Sequence, residues 1–294
     1  MHQPVSGVIA IDKPPGVSSR RVVDAVAGAL GTKAVGHAGT LDPLAAGVVV
    51  VCVGHATKLV DFVHELPKHY QGSFLFGRSS PSDDLETAVV EEPAPVQPSR
   101  EAIEAALSAF RGSILQRPCD YSAVHVDGKR AYRLARKGRP VELAAKEVRI
   151  DRLEVTAYDW PRLGLDIVCS SGTFVRAIGR DLAAALGTRA VMESLVRTAV
   201  GPFTQAAALP LVAVSADSVR CGLLPAAAAV SHLPRQAFED EAALARAVSG
   251  GLVDLGTEAA GAIAATDAAG DLVGILRRHE SGRWRLRPNF RGAG

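Results

Sequence analysis

Residues 36–47, GHAGTLDPLAAG, run without a break into VVVVCVG at 48–54, and the junction between the two decides how the chain is read. Six apolar residues, five of them valine, closed by glycines and too short for a typical helix, make a buried strand. The segment before it, with glycines at 36, 39 and 47, is then a connection that a rigid scaffold holds in place. Inside that connection Asp42 is followed by Pro43, which biases the aspartate away from the helical region, and the flanking glycines allow a ligand close to the backbone. An ordinary aspartate has a pKa of about 4, so Asp42 is a candidate nucleophile or base, or else simply caps a turn. The loop lacks the G-K-[ST] ending of a phosphate cradle and leads into a strand, which excludes the P-loop class. His37 shares the loop and is either a hydrogen-bond donor to phosphate or base, or an exposed loop histidine.

Working outward, GVIAIDKPPG predicts a strand over 7–12, stopped by Pro14, Pro15 and Gly16. Ser18 or Ser19 then caps a helix to about Leu30, with Val22, Val23, Val26 and Leu30 on one face. Downstream the pattern predicts a helix near 55–66, a strand over 69–77, a polar turn over 78–87 and a proline-rich connection. Ser99 caps an amphipathic helix with Ile103, Ala106, Leu107 and Phe110 inward. Alternation over 141–170 predicts two longer strands, after which Thr173 opens a helix ended by Gly187. Beyond about residue 205 the sequence turns alanine-rich and reads as a hinge into a small C-terminal domain. That domain shows two short strand patterns and ends in the arginine-rich RWRLRPNFRG.

With 33 basic and 31 acidic residues the net charge is +2, so overall charge selects no partner. Cys52, Cys119, Cys169 and Cys221 lie far apart with no C-x-x-C pair, which fits a reducing cytoplasm better than a disulfide framework or zinc knuckle. No apolar run approaches the roughly 20 residues of a membrane helix, and the N-terminus lacks the signature of a signal peptide. Among the histidines only His64 and His69 fall close together, without a third ligand, so no metal is called for.

Charge is instead concentrated locally. The run KRAYRLARKGR at 129–139 carries six basic residues, no acid and a central Tyr132, with Arg133, Arg136 and Lys137 at helical spacing. A positive stripe beside an aromatic is the footprint of a nucleic-acid backbone. In CSSGTFVRAIGRDL at 169–182, Arg176 lies one turn into the expected helix, where the dipole disfavours a cation unless an anion is near. Asp42 would supply that anion, with Asp181 as the local alternative.

These blocks, in this order, resemble the TruB family of tRNA pseudouridine synthases. The resemblance runs from GVIAIDKPPGVSS through GHAGTLDPLAAGVVVVCVGHATK, KHY at 68–70, QRPCDYSAVHVDGKRAYRLARKG and VCSSGTFVRAIGRDLAAALG to LVRTAVGPF at 195–203. It implies that Asp42 is the catalytic aspartate, Tyr70 the tyrosine that stacks on the target base, and Arg176 the arginine paired with the aspartate and holding it ionised. It further implies substrate contacts by His37, Phe174, Leu195, Lys129, Arg130, Arg133 and Arg136, with Lys13 and Pro14 supporting the wall of the site. Phe174 stands where a tyrosine is common in the family, His125 stands where its pattern has SAxK, and SSPSDD replaces the usual residues before Asp84.

The implied fold is α+β: a mixed, largely antiparallel sheet with flanking helices, plus a small β-rich C-terminal domain. The expected boundaries are a catalytic domain over 1–210, a linker over 211–234 and a PUA-like RNA-binding domain over 235–294. The implied activity isomerises uridine 55 in the TΨC loop of tRNA, with no cofactor and no metal. The chain is expected to work as a cytoplasmic monomer that binds the T-arm of tRNA, without a membrane or an obligatory protein partner.

Overall fold

The computed structural model describes residues 5–122, 124–126, 129–135, 143–256 and 261–291. Its centre is a ten-stranded sheet whose main path runs Leu209–Pro210, Gly7–Lys13, Ala46–Val53, Ala190–Val200, Lys68–Phe76, Arg162–Cys169, Lys146–Asp159 and Gly112–Gln116. Val35–His37 adds to Ala46–Val53, and Phe203–Thr204 adds to Ala190–Val200. All pairings are antiparallel except Gly7–Lys13 with Leu209–Pro210 and Ala46–Val53 with Ala190–Val200. The expected α+β architecture, a mixed and largely antiparallel sheet with flanking helices, is what the chain forms.

Burial explains the two kinds of strand sequence. Val49, Val51 and Val53 join one core with Val22 and Val26 of the helix Ser19–Leu30. Val48, Val50 and Cys52 join a second core with Leu59 and with Phe62 and Val63 of the helix Val60–Glu65. With both faces covered, the strand needs an unbroken apolar run. Lys146–Asp159 and Arg162–Cys169 have one wet face, so they alternate. Ile150, Leu153, Leu165 and Ile167 pack with Ile103 and Leu107 of Arg100–Leu107 and Ile178 and Leu182 of Val175–Ala185, while Arg149 and Arg152 are exposed.

Helix entry differs from expectation in one instructive place. Ser18 caps Ser19–Leu30 by accepting from the Arg21 amide, and Ser99 caps Arg100–Leu107 in the same way through Ala102. Thr173 does not cap Val175–Ala185; its hydroxyl donates to the Ser170 carbonyl. Phe174 takes the cap position, and Gln116 from the edge strand supplies what a local side chain would have. The Phe174 amide donates to Gln116 Oε1 at 2.7 Å, and Gln116 Nε2 donates to the Phe174 carbonyl at 3.1 Å. Farther along this helix a Cβ at Gly179 would stand 2.1 Å from Phe74 Cδ1. The missing side chain lets the helix press onto the sheet, which holds Arg176, one turn earlier, deep in the molecule.

The segment expected to be one basic helix begins as a hairpin. His125–Val126 pairs with Lys129–Arg130, and a short helix, Ala131–Ala135, follows. Arg136, Lys137 and Arg139 lie outside the described residues. Pairing between these two strands overrides the helical spacing at the start of the run.

The segment 211–234, expected as a linker, carries packed elements: Val219 of the helix Ala216–Gly222 enters the first core, and Ala229 and Val230 enter the second. Arg235–Phe238, Ile263–Asp267, Leu272–Arg278 and Trp284–Asn289 form a separate four-stranded sheet, with the helix Glu241–Val248 beside it. The arginine-rich end is therefore a strand, with Trp284 and Leu286 buried and Arg285 and Arg287 exposed. Arg277 of this unit lies over the Phe62 ring at 5.2 Å. No helix among the described residues is long and apolar enough to cross a membrane.

The parallel crossing at the centre depends on Gly47, which has φ 104° and pairs with Arg197. An added Cβ would stand 2.2 Å from the Arg197 carbonyl oxygen. Gly47→Ala is expected to lower unfolding free energy by at least about 2 kcal/mol, from overpacking against backbone and an unfavourable φ. Urea unfolding measures this, and a midpoint equal to that of the unmodified chain would contradict it.

Candidate active site

The Asp42 loop is held by hydrogen bonds to its backbone. Lys13 is fully buried, and its Nζ donates to the carbonyls of Val17 at 2.7 Å, Pro14 at 3.0 Å, Pro43 at 3.4 Å and Ala45. Arg197 is also buried, and it donates to Val48 O at 2.7 Å and Gly39 O at 3.2 Å. Ser19, freed from capping, donates to Leu41 O at 3.0 Å and accepts from Leu41 N at 2.8 Å. Burial lowers the Lys13 ammonium to about 8, with Arg197 adding to the shift and Asp42 opposing it.

Arg176 meets the loop from the opposite side. Its Nη2 lies 3.0 Å from Asp42 Oδ2 and donates to Tyr121 O at 2.9 Å. Its Nη1 lies 3.3 Å from Asp84 Oδ2 and donates to Ser82 O at 2.8 Å. Asp84 is almost fully buried, and its Oδ1 accepts from Ser82 Oγ at 2.5 Å and Glu86 N at 2.9 Å. The helix dipole called for one anion beside Arg176, and the structure supplies two. Asp181, the local alternative, pairs instead with Arg180 at 2.8 Å.

This pairing does not leave Asp42 with a depressed pKa. Desolvation pushes its carboxyl above the usual aspartate value, Asp84 pushes it further, and Arg176 opposes both without reversing them. The expectation that the arginine sets the balance is corrected on that point: loss of water outweighs one cation that is itself shared with Asp84. Asp42 nevertheless keeps 39 % of its side chain open to the cleft. Chemistry that needs the ionised carboxylate is expected to switch off on acidification with a midpoint above an ordinary aspartate. The acid limb of a kcat/KM profile measures that midpoint, and one at or below about 3.9 would contradict it.

Sheet register brings the remaining groups together. Gly47, Arg197 and Tyr70 are lateral neighbours on three adjacent strands, and Leu195 pairs with Gly72 one step along. An irregularity in the ladder directly follows Arg197, as is common beside active sites. Tyr70 is buried, which raises its phenol pKa, and the Arg197 guanidinium beside it opposes the rise. A cavity of about 190 Å³ opens between Asp42, Lys68, Tyr70, Phe174, Leu195 and Arg197. Lys68 is buried and donates to the His64 carbonyl; burial lowers its ammonium to about 8.

A larger cavity of about 560 Å³ shares Thr40, Leu41, Asp42 and Ser122 with the first. His37 lines this second space, not the first, and it ends a short strand where a loop was expected. Burial lowers its pKa, with Arg197 adding to the effect, so the ring is neutral at pH 7; its Nδ1 is buried with no partner among the described residues. Tyr132 also lines this cavity, and its amide donates to Ser122 O at 3.0 Å, joining the basic segment to the cavity wall. Lys129 and Arg130 lie in the hairpin and Arg133 in the short helix on that segment, while Arg136 is outside the described residues.

Asp42, Tyr70, Arg176, Phe174 and Leu195 thus line one cleft. Asp84, Lys68 and Arg197 were not singled out from sequence. A charged residue in the middle of the apolar strand segment around 190–200 was a signal for Arg197; Asp84, in a polar turn, gave none.

A family model described as TruB family pseudouridylate synthase (N terminal domain) matches residues 28–175. The tRNA pseudouridine synthase B of Caulobacter sp. (strain K31) is 43 % identical over 81 % of this chain and 78 % of its own length. That of Gloeobacter violaceus is 41 % identical over 75 % of this chain and 76 % of its own. Among solved structures, a Cbf5-Nop10-Gar1 complex contains a chain similar in fold, with a TM-score of 0.75 and 23 % identity, covering 97 % of this chain and 85 % of that one. A chain of an H/ACA RNP bound to a substrate RNA containing 2′-deoxyuridine gives a TM-score of 0.73 at 22 % identity, covering 97 % and 84 %.

Proposed function

Since the chain belongs to the TruB family of pseudouridylate synthases, we propose that it converts uridine 55 in the TΨC loop of tRNA to pseudouridine, with Asp42 as the catalytic carboxylate. The observation that carries this reading is the Arg176–Asp42 pair at 3.0 Å beside a cavity floored by Tyr70 and Leu195. An aromatic face and an apolar side chain suit a flat base, and the aimed carboxylate suits its sugar.

The target uridine is stacked within a folded loop, so it must be flipped out at a cost of a few kcal/mol. Stacking on Tyr70 returns on the order of 1–3 kcal/mol. Lys129, Arg130, Arg133 and Arg136 hold phosphates near the cleft, with Phe174 and His37 against the nucleotides around the base. Asp42 then attacks C1′ or C6, or assists a glycal route in which Tyr70 takes part in proton transfer at C2′. The N1–C1′ bond breaks, the base turns, and C5 bonds to C1′; the C5 proton is lost and N1 gains one, so the reaction needs neither oxidant nor cofactor. Residues 1–210 carry this chemistry, and 235–294 act as a PUA-like RNA-binding unit joined through 211–234. A single copy of the chain suffices in the cytoplasm without a protein partner.

The test is to incubate the purified protein with unmodified tRNA and with an isolated T-arm stem-loop, then map pseudouridine in each. Modification confined to position 55 in both RNAs is expected. Modification at another position, or only after a guide RNA and partner proteins are added, would overturn the proposal.

A further inference from the structure

Besides Arg176, three more cations are buried at or beside the cleft. Arg197, Lys68 and Lys13 are 1 %, 4 % and 0 % exposed. Their hydrogen bonds go to carbonyl oxygens. Among the described residues no carboxylate pairs with any of the three, whereas Arg176 has two. Burying an unpaired charge is costly, so cations kept this way mark a place where negative charge arrives during function. Arg197 and Lys68 line the same cavity as Tyr70 and Leu195, and register puts Arg197 directly beside Tyr70. Whatever charge they meet therefore sits against an aromatic ring and a leucine, surroundings that fit a base better than a phosphate.

We propose that Arg197, with Lys68 beside it, stabilises the negative charge that develops on the flipped uracil as its glycosidic bond breaks. This rests on the function proposed above. The electron pair of the N1–C1′ bond leaves with N1, making the base an anion spread over its ring and carbonyl oxygens. When C5 bonds to C1′ a pair returns to the new bond, the C5 proton departs and N1 is protonated, so the charge exists only between the two bond changes. A fixed guanidinium in a water-poor cavity favours that interval over the neutral ground state. Arg197 thus acts on the departing base, a role separate from that of the Asp42 carboxylate.

The test compares Arg197→Met and Arg197→Lys with the unmodified protein in single turnover, on T-arm stem-loops carrying uridine or 5-fluorouridine at the target. Fluorine makes uracil a better anion, so the missing cation should matter less; digestion and mass spectrometry read loss of the N-glycoside for both substrates. Arg197→Met is expected to slow the uridine substrate by roughly 10²–10³-fold with RNA affinity nearly unchanged. Its penalty on the fluorinated substrate should be at least about tenfold smaller, and Arg197→Lys should recover part of the uridine rate. Equal penalties on the two substrates in a normally melting variant would overturn the proposal in favour of loop support through Gly39 and Val48. A loss residing wholly in RNA affinity would overturn it in favour of a phosphate contact. Failure of the unmodified protein to isomerise uridine would instead overturn the function proposed above.

Discussion

Asp42→Asn is expected to slow pseudouridine formation by roughly four orders of magnitude or more, with the variant still folded and still binding tRNA. The amide keeps the shape that the loop was built around. The contacts that hold the loop, from Lys13, Ser19 and Arg197, all go to its backbone and do not involve the Asp42 side chain. The sign of the stability change follows from the pKa. Asp42 is raised in the folded protein, so its contribution to stability is present below the ordinary aspartate value and is lost as pH rises through the folded value. Asn removes that penalty at neutral pH, so the melting temperature is expected to equal or exceed that of the unmodified chain. Single-turnover rates beside thermal melts read both quantities; substantial pseudouridine formed by the variant would remove Asp42 from the chemistry.

Arg176→Met should be damaging in both respects. The methionine leaves Asp84, 1 % exposed, buried without its cation, and leaves the carbonyls of Ser82 and Tyr121 without their donor. Removing one partner of a buried pair costs about 3–5 kcal/mol, so the variant is expected to unfold at markedly lower denaturant. Asp42 loses the stronger of the two cations, Arg176 and Lys13, that oppose its desolvation and Asp84, so its pKa rises further and the acid limb of the rate profile moves to higher pH. The two effects separate in a double variant. Arg176→Met combined with Asp84→Leu should recover much of the stability and none of the activity, because no charge is left buried alone while Asp42 still lacks its partner. Recovery of activity in that double variant would show that Arg176 matters only for folding.

The route from sequence to these residues was uneven for physical reasons. Local physics left plain marks: a double-faced strand wrote itself as VVVVCV, one-sided strands wrote themselves as alternation, and Ser18 and Ser99 announced two helices. Arg176 beside a helix N-terminus demanded an anion, and the demand was met. Where a partner came from a distant part of the chain, the marks failed. Gln116 caps a helix 58 residues away, so a rule based on adjacent side chains picked Thr173. Asp84 reaches Arg176 from a polar turn whose composition resembles any surface loop. The basic run had helical spacing, yet its first two residues pair with His125–Val126, a partner that spacing within the run does not specify.

The sequence by itself determined most of the strands and helices around the cleft, the stiffness of the Asp42 loop and the family resemblance that names Asp42, Tyr70 and Arg176 together. Tertiary structure alone decided their arrangement and their charge states. The parallel crossing of Ala46–Val53 with Ala190–Val200 puts Arg197 between the Asp42 loop and Tyr70, which no pattern along the chain specifies. The direction of the Asp42 pKa was decided in the same way. It depends on how much water the packed cleft removes and on Arg176 being shared with Asp84, and both are properties of distance and burial, not of spacing along the chain.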